Sequence, residues 1–226
     1  MDGGARPGDL EAFMAGAAHD LRAPLQTALG HLDLLEPHLP GDDARAREGL
    51  DAARTALLRM RESLEDMLLY AGAAAATPPQ RVEVAPVARG VIEDLDALMR
   101  QERAQVQIGM LPIVKAHPAQ LARILQNLVA NAIKYHGQKP PVVRLSAHRV
   151  GPDWVLDVSD NGRGMAAEDL PRLFRPFARL ASSKGVPGTG LGLATAARLA
   201  DSMKGRLWAE SIPGRGSTFH LALPAA

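Results

Sequence analysis

The sequence predicts a hairpin of two long α-helices followed by a domain of mixed α-helix and β-strand. In the first third of the 226 residues, two segments repeat apolar positions at steps of three and four, as amphipathic helices do. The remainder alternates short strand-like runs with helical patterns, and a stretch rich in alanine, glycine and proline separates the two parts. We therefore expect a helical domain at 1–73, a linker at 74–81 and an α/β domain at 82–226.

The first predicted helix begins at Gly8 or Asp9, with Asp9 as its cap, and continues to about Leu35. Pro24 lies inside this helix, where a proline removes one backbone donor and clashes with the preceding turn, so we expect a bend. The apolar seam that should face a partner helix contains Leu10, Met14, Ala17, Leu21, Leu25, Ala28, Leu32 and Leu35.

His19 lies between two seam positions, so its imidazole is expected to point away from the seam toward water. A neutral imidazole has a free ring nitrogen that can attack an electrophile such as a phosphoryl group, and Asp20 beside it is an acid. For these residues alone, a surface histidine on an amphipathic helix is the simpler interpretation. A functional role for His19 therefore depends on other parts of the chain.

A second predicted helix follows a connection at 36–43 that contains two prolines and a glycine. This helix ends near Tyr70, and its apolar positions are Leu50, Ala53, Leu57, Met60, Leu64 and Met67. Two helices form a thin core and leave apolar surface on their far side. Because a symmetric homodimer pairs two hairpins into a four-helix bundle, we expect a homodimer through these helices.

Composition and charge narrow the classes of function. The chain has 26 basic and 25 acidic residues, a balance that does not suit binding to a nucleic-acid backbone. The longest nearly uncharged run, 67–80, is shorter than the roughly 18 apolar residues that a membrane helix needs. No export signal is visible at the N-terminus, and no cysteine is present. We expect a cytoplasmic protein with no nucleic-acid partner and no membrane span in this chain.

The second part of the chain alternates predicted strands and helices. Strands are expected at 82–85, 106–110, 142–150, 154–159, 206–211 and 217–223, and helices at 86–101, 119–135 and 191–204. A turn at 151–153 should join two strands into a hairpin, and Gly205 should end the last helix. The segment 161–188 has no regular pattern, and its length indicates a functional lid.

Three polar residues share one face of the helix predicted at 119–135. Asn127, Asn131 and Lys134 are separated by four and three positions. Amides and an ammonium group suit oxygens, phosphate and Mg²⁺, which prefers oxygen ligands. A solvated polar helix face would show the same pattern, so both interpretations stay open for this cluster alone.

Two glycine-containing segments follow in the chain. Asp160-Asn-Gly-Arg-Gly164 comes directly after an apolar strand, where Asp160 could accept from an exocyclic amine and the glycines would allow close backbone approach. An ordinary turn would use the same residues. Gly188-Thr-Gly-Leu-Gly-Leu193 precedes a helix, whose unpaired amides and dipole attract phosphate. Each segment is a weak signal by itself, whereas their order along the chain is more specific.

That order resembles the ATP-binding domain of sensor histidine kinases, with its N, G1, F and G2 boxes. Residues 127–135 are similar to the N box, 160–164 to the G1 box, Phe174-Arg-Pro-Phe177 to the F box and 188–193 to the G2 box. His19-Asp-Leu-Arg-Ala-Pro-Leu25 resembles the H box of the family and precedes the other boxes, as it does in the family.

Within the family, the sequence is most similar to the kinase modules that end phytochromes. This finer resemblance is carried by 177–180, 187–190 and Gly216-Ser-Thr-Phe219. The resemblance as a whole covers 10–224 and implies a dimeric four-helix bundle followed by an α/β sandwich, a mixed sheet with helices on one face. It further implies an ATP-dependent histidine autokinase of a two-component system, which passes its phosphoryl group to an aspartate of a response regulator receiver domain.

The resemblance also implies a role for each matching residue. His19 would be the nucleophile and Asp20 the general base, although adjacent helical side chains diverge by about 100°, so Asp20 must fold back toward the ring. Asn131 would ligate Mg²⁺, Lys134 would contact the phosphates of ATP, and Asp160 would receive the adenine amine. The other ATP-binding residues implied are Asn127, Tyr135, Gly162, Gly164, Arg179, Gly188, Thr189, Gly190, Leu191 and Gly192.

One position departs from part of the family. Kinases that also dephosphorylate their regulator often carry threonine or asparagine four residues after the histidine, where this chain has Ala23. An alanine cannot orient a water molecule, so we expect weak or absent phosphatase activity. No sensor domain precedes the first helix, so we expect either a catalytic core alone or a small kinase regulated by partners.

Two other classes of function are compatible with parts of the sequence. A non-catalytic phosphotransfer or scaffold dimer would keep the helical hairpin but is expected to lose residues such as Asn131 and Asp160. Another ATPase of the same nucleotide fold, such as a chaperone, a topoisomerase, a mismatch-repair protein or a serine kinase that inhibits sigma factors, would not need a hairpin bearing His19.

Overall fold

The computed structural model describes residues 7–39, 43–71, 78–178, 180 and 189–226. The chain divides into two compact units between residues 72 and 73. The predicted order of a helical part followed by a mixed α/β part is confirmed. In the described ranges, no helix combines the length and the apolar character that crossing a membrane requires.

The first unit is a hairpin of two long helices. Helix α1 spans Pro7–Leu35, a short 3₁₀ helix spans Glu36–His38, and α2 spans Ala44–Ala71. Pro24 lies inside α1, as predicted. Asp9 is not the cap of α1, because the helix already begins at Pro7, and a proline is favoured in the first turn, where no backbone donor is needed. Asp43 caps α2, since its Oδ1 accepts from the backbone N–H of Ala46 at 2.9 Å.

The described side chains of the hairpin form a small core. Ala18, Leu25 and Leu64 are buried, and the residues partly buried against them are Leu57, Met67 and Leu68. The predicted seam is wrong at its centre, because Leu21 is 48% exposed and Ala18 is fully buried. A helix with one neighbour buries only a narrow stripe, and the rest of a wider apolar stripe stays in contact with water. Other large apolar side chains that are more than half exposed on this unit are Leu34, Leu35 and Met60.

The second unit contains two sheets. A pair of short antiparallel strands consists of β1 (Gln80–Glu83) and β3 (Ile113–Ala116). The larger sheet is formed by β2 (Gln105–Ile108), β4 (Val142–Val150), β5 (Asp153–Asp160), β6 (Arg206–Ile212) and β7 (Gly216–Pro224). Its strand order is β2-β4-β5-β7-β6, and every neighbouring pair is antiparallel except β2 and β4.

Helices of the second unit pack on one face of the larger sheet. They are α3 (Val84–Asp94), α4 (Asp96–Glu102), α5 (Pro118–Lys134) and α6 (Gly192–Ser202), and a 3₁₀ helix spans Ala167–Arg172. The core joins apolar side chains of α5 and α6 to alternate strand residues, which include Leu145, Val158 and Leu221. The side chains between those positions, such as Asp157 and Trp208, lie on the opposite face. The predicted mixed sheet with helices on one face is therefore confirmed.

Several predicted boundaries differ from the structure. Strand β1 ends at Glu83, and the helix expected at 86–101 begins at Val84 and is divided at Leu95 into α3 and α4. The strand Ile113–Ala116 has no counterpart in the prediction, because its four residues are too few to show a period. Helix α6 ends earlier than expected, and the left-handed residue after it is Lys204, with φ 59°, instead of Gly205.

Candidate functional site

The candidate site residues of α5 lie on its polar side. The helix is amphipathic, and the side chains buried on its apolar side are Leu121, Ile124, Leu125, Leu128, Val129, Ala132 and Ile133. Asn127 and Asn131 are half-buried, whereas Lys134 is exposed at the last turn. The helix ends at Tyr135, whose backbone N–H donates to the carbonyl oxygen of Asn131 at 2.9 Å. Amide and ammonium groups therefore line one side of this helix up to its C-terminus.

Asp160 is the last residue of β5, and one of its carboxylate oxygens is held by two backbone donors. Its Oδ1 accepts from the N–H of Gly162 at 2.7 Å and from the N–H of Ser217 at 3.1 Å. Burial raises the pKa of the Asp160 carboxyl above its ordinary value, and these two hydrogen bonds act in the opposite direction. Among the described residues, no donor reaches Oδ2, so this oxygen can accept a hydrogen bond from a ligand.

The turn after Asp160 packs so closely on its neighbours that side chains are excluded. A Cβ atom at Gly162 would lie 2.7 Å from the carbonyl oxygen of Tyr135 and 2.8 Å from Oδ1 of Asp160. Gly164 has φ +64°, and a Cβ there would collide with the carbonyl oxygen of Ile212. Glycine is required at both positions, by space and at Gly164 also by backbone conformation.

The start of α6 is packed in the same way. Gly190 has φ +74°, and its Cβ would lie 2.9 Å from the carbonyl carbon of Phe177. A Cβ at Gly192 would lie 2.9 Å from Oδ1 of Asn127, so the first turn of α6 lies against the polar side of α5. Thr189 Oγ1 accepts from the N–H of Leu191 at 3.2 Å, and the side chain of Leu191 is fully buried. Thr189 and Leu191 thus shape this turn by a hydrogen bond and by packing.

Asn127 carries a buried donor that the described part of the protein does not satisfy. Its Nδ2 has no hydrogen-bond partner within the described ranges. A buried unpaired polar group costs roughly 1–3 kcal/mol, so a ligand oxygen that accepted this hydrogen bond would remove the cost. The first N–H groups of α6, beside Asn127, also lack partners within the helix. These donors fit an anionic, oxygen-rich ligand such as a nucleotide phosphate.

A cavity of about 480 Å³ opens beside Asp160. It is lined by Asp160, Leu170, Glu210, Ser211, Ile212, Arg215, Gly216, Ser217 and Thr218. Its volume is within the range of small-molecule sites. The lining includes neither Asn131 nor Lys134, so the cavity shares Asp160 alone with the predicted site residues.

The structure brings together most of the predicted nucleotide-binding residues within the second unit. Asn127 contacts the start of α6, and the turn 160–164 contacts Tyr135 at the end of α5. Arg179 and Gly188 lie outside the described residues. The backbone of His19 belongs to α1, its side chain is not among those described, and Asp20 is exposed.

Two site residues have no role in the prediction. Ser217 supplies a donor to Asp160 from the start of β7, and Arg163 lies against Tyr135. The glycine-rich turn before Ser217 was the available signal, because such turns often place backbone amides at a polar group. Arg163 had no signal beyond its position inside the G1-like segment.

Two family models match the chain. Residues 9–74 match HisKA, the His Kinase A (phospho-acceptor) domain, and residues 116–226 match HATPase_c, the histidine kinase-, DNA gyrase B- and HSP90-like ATPase. The two segments follow each other without overlap and together cover more than three quarters of the chain.

Individual relatives include a phytochrome-like protein and a sensory kinase. The chain is 33% identical over 218 residues to the phytochrome-like protein Cph1 of Synechocystis sp., which covers 96% of this chain and 29% of Cph1. It is 31% identical over 228 residues to the adaptive-response sensory kinase SasA of Synechococcus elongatus, which covers 95% of this chain and 59% of SasA. The chain therefore spans less than two thirds of the length of these relatives.

Solved structures agree with the sequence matches. Full-length ShkA in complex with AMPPNP superposes with a TM-score of 0.78 at 26% identity, over 96% of this chain and 46% of ShkA. The histidine kinase AdeS of Acinetobacter baumannii, at 22% identity and a TM-score of 0.61, shares the fold. The fold, the family models and the relatives agree. The chain therefore belongs to the histidine kinase family, with a HisKA segment followed by a HATPase_c segment.

Proposed function

We propose that the chain is an ATP-dependent histidine kinase that phosphorylates its own His19 and passes the phosphoryl group to an aspartate of a response regulator receiver domain. The observation that carries this proposal is the arrangement at Asp160. One carboxylate oxygen is held by two backbone N–H groups, and the other faces no described donor, beside a cavity of about 480 Å³.

The Asp160 end of the site suits an adenine base. An ionised carboxylate oxygen accepts the hydrogen bond that an exocyclic amine donates, and a guanine would present a carbonyl oxygen at the corresponding position. The glycines at 162 and 164 bring backbone instead of side chains to this place. Discrimination by such a contact is strong, because a base without the donor leaves a buried carboxylate oxygen unpaired.

The α5 and α6 end of the site suits the phosphates and Mg²⁺. Asn127 Nδ2 and the first N–H groups of α6 would donate to phosphate oxygens, and Lys134 would add a positive charge. In the described ranges, no group of three or more His, Asp or Glu side chains could hold a metal ion. As the resemblance implies, the carbonyl oxygen of Asn131 would be a protein ligand to Mg²⁺ that also binds the phosphates. Bound Mg²⁺ would neutralise phosphate charge. The roles predicted for Arg179 and Gly188 remain part of this proposal.

The helical unit would provide the nucleophile. A ring nitrogen of His19 would attack the γ-phosphorus of ATP, the bond between this phosphorus and the bridging oxygen would break, and ADP would leave. Asp20 would accept the imidazole proton as the general base. The HisKA match, a phospho-acceptor domain that spans His19, supports this assignment. The same unit would form the homodimer, since apolar side chains such as Leu34 and Met60 are exposed on it.

Labelling with [γ-³²P]ATP and magnesium tests the proposal. The unmodified protein should acquire label that is labile in acid and stable in base, as phosphohistidine is, whereas His19→Gln and Asn131→Ala should acquire none. His31→Gln is the matched control, because His31 is an exposed histidine of the same helix. Label that survives in His19→Gln would refute the assignment of the nucleophile. A protein that takes up no label and binds no ATP would favour a non-catalytic scaffold over a kinase.

A further inference from the structure

Arg163 lies over the ring of Tyr135. The carbon at the centre of its guanidinium group is 5.7 Å from the centroid of the ring. This distance is within the range of a cation–π contact, in which the positive charge is attracted to the electron-rich face of the ring. Arg163 is therefore in a position to cover one face of Tyr135.

The backbone holds Arg163 in this place from both sides. Its N–H donates to the carbonyl oxygen of Tyr135 at 3.2 Å, and its own carbonyl oxygen accepts from the N–H of Gly214 at 2.8 Å. Arg163 thus touches Tyr135 twice, through the backbone and through the ring. These two hydrogen bonds fix the backbone from which the guanidinium group reaches the ring.

Tyr135 and Asp160 flank the same point of the site. The position that a Cβ of Gly162 would occupy is 2.7 Å from the carbonyl oxygen of Tyr135 and 2.8 Å from Oδ1 of Asp160. Tyr135 also ends α5, one residue after Lys134. The half-buried ring lies against the guanidinium group of Arg163, three residues after Asp160, so the ring lies beside the turn that follows Asp160.

We propose that Arg163 is a positioning residue, which holds the Tyr135 ring beside Asp160 and thereby sets the affinity of the site for the adenine base. This inference rests on the proposed nucleotide site. Because the guanidinium group covers one face of the ring, the ring keeps one orientation, and its remaining surface stays open to the base. Arg163 acts on the base through Tyr135 and contacts neither the base nor the phosphates.

The test measures binding of adenosine and of ADP to the full chain by calorimetry. Arg163→Gln removes the charge and keeps a planar group, and Arg163→Lys keeps the charge. The matched control is Arg206→Gln, because Arg206 makes the same kind of contact with Trp208, at 5.4 Å, away from the site on the opposite face of the sheet. Thermal unfolding of each variant separates loss of fold from loss of affinity.

Arg163→Gln should weaken the binding of adenosine and of ADP by the same factor, about two- to fivefold, which is the size of one partly exposed cation–π contact. Arg163→Lys should restore part of this loss, and Arg206→Gln should leave both affinities unchanged. In a protein that already carries Tyr135→Leu, Arg163→Gln should have no further effect, since the two residues act as one unit.

Other results would overturn the inference. A loss of affinity for ADP but not for adenosine would make Arg163 a phosphate contact. Equal losses with and without the Tyr135 ring would show that Arg163 does not act through it, and unchanged affinity in Arg163→Gln would show that the ring needs no support. If the unmodified protein binds neither ligand, the proposed nucleotide site itself is wrong, and the inference fails with it.

Discussion

At the scale of single residues, Asp160 combines two opposing effects in one side chain. Burial raises the pKa of its carboxyl, while the N–H groups of Gly162 and Ser217 favour the charged form. The carboxylate is thus kept partly out of water, with one oxygen satisfied by the protein and the other left for a ligand. A polar contact in such a place is selective, because an unsatisfied buried charge is costly.

The raised pKa of Asp160 leads to a prediction about pH. The ionised carboxylate accepts a stronger hydrogen bond from the adenine amine than the protonated carboxyl does, so affinity for adenosine should fall as the pH decreases through the raised pKa, which lies above the ordinary value of 3.8. Calorimetric titrations at pH values from about 4 to about 8 would measure this fall. Asp160→Asn should bind adenosine at least about tenfold more weakly, and its affinity should not show the fall with decreasing pH that the Asp160 carboxyl causes. The same pH profile in both proteins would contradict the prediction.

The effect of Asp160 on the free energy of unfolding has a pH dependence opposite to its effect on adenosine affinity. The native carboxyl still holds its proton at pH values where the carboxyl of the unfolded chain has lost it, so this group lowers the free energy of unfolding as the pH rises above 3.8. Asp157→Asn is a suitable control for the binding measurement. Asp157 lies on the same strand and bonds His148 and His220 on the opposite face, so its loss should leave adenosine affinity unchanged.

The glycines at the site allow a prediction about close packing. Gly164 and Gly214 have similar left-handed backbones, with φ +64° and +75°, but a Cβ at Gly164 would collide with Ile212, whereas Gly214 faces open space. Gly214→Ala should lower the free energy of unfolding by about 1–2 kcal/mol, the cost of the backbone conformation alone. Gly164→Ala should lower it by clearly more. Denaturant unfolding of the two variants measures the difference, and equal losses would contradict the role given to close packing.

At the scale of elements, the predictions for α1 are right for its extent and wrong for the burial of one of its residues. Its extent and the place of Pro24 follow from local pattern and are confirmed. The predicted burial of Leu21 is wrong, because burial depends on which face of the helix meets α2 and on how wide that contact is. The same limit explains α3 and α4, which the apolar pattern of residues 86–101 did not separate.

The exposed face of α1 carries a prediction about a second activity. Ala23 is exposed, and Thr27 Oγ1 donates to its carbonyl oxygen at 3.1 Å, one turn further along the helix. Because an alanine at this position cannot orient a water molecule, the unmodified protein should show weak or absent phosphatase activity toward its phosphorylated regulator. Ala23→Thr should keep autophosphorylation and raise phosphatase activity.

Release of phosphate from the regulator, measured beside incorporation of label, tests this prediction. Ala52→Thr is the matched control, since Ala52 is an exposed alanine of α2 and carries the same change in helix propensity. It should change neither activity. Clear phosphatase activity in the unmodified protein would refute the interpretation of Ala23.

At the scale of the whole molecule, the two units differ in how they bury apolar surface. The second unit has a continuous core that joins α3, α5 and α6 to the sheet. Among the described side chains of the hairpin, three apolar residues are buried, and Leu21, Leu34, Leu35 and Met60 are exposed. A single hairpin therefore leaves apolar surface exposed, and we expect a second copy of the chain to cover this surface.

A charge on this surface should weaken the dimer. Met60 is 51% exposed in the single chain, and burying a carboxylate there would be unfavourable, so Met60→Glu should raise the dimer dissociation constant at least about tenfold. Analytical ultracentrifugation over a range of concentrations measures this constant. Val150→Glu is the control, because Val150 is 54% exposed on the second unit. A protein that is monomeric at all concentrations would contradict the prediction.

The sequence by itself determined the two-part architecture, most of the long elements and the identity of most candidate site residues. Helical periodicity and glycine-rich turns are properties of neighbouring residues, so they are readable before the chain folds. Three contacts depend on the tertiary structure. They are the second hydrogen bond to Asp160, which Ser217 donates from a position 57 residues further along the chain, the contact of Arg163 with Tyr135, and the pairing of β3 with β1. These contacts join distant segments, and they depend on how the elements pack, which no local pattern specifies.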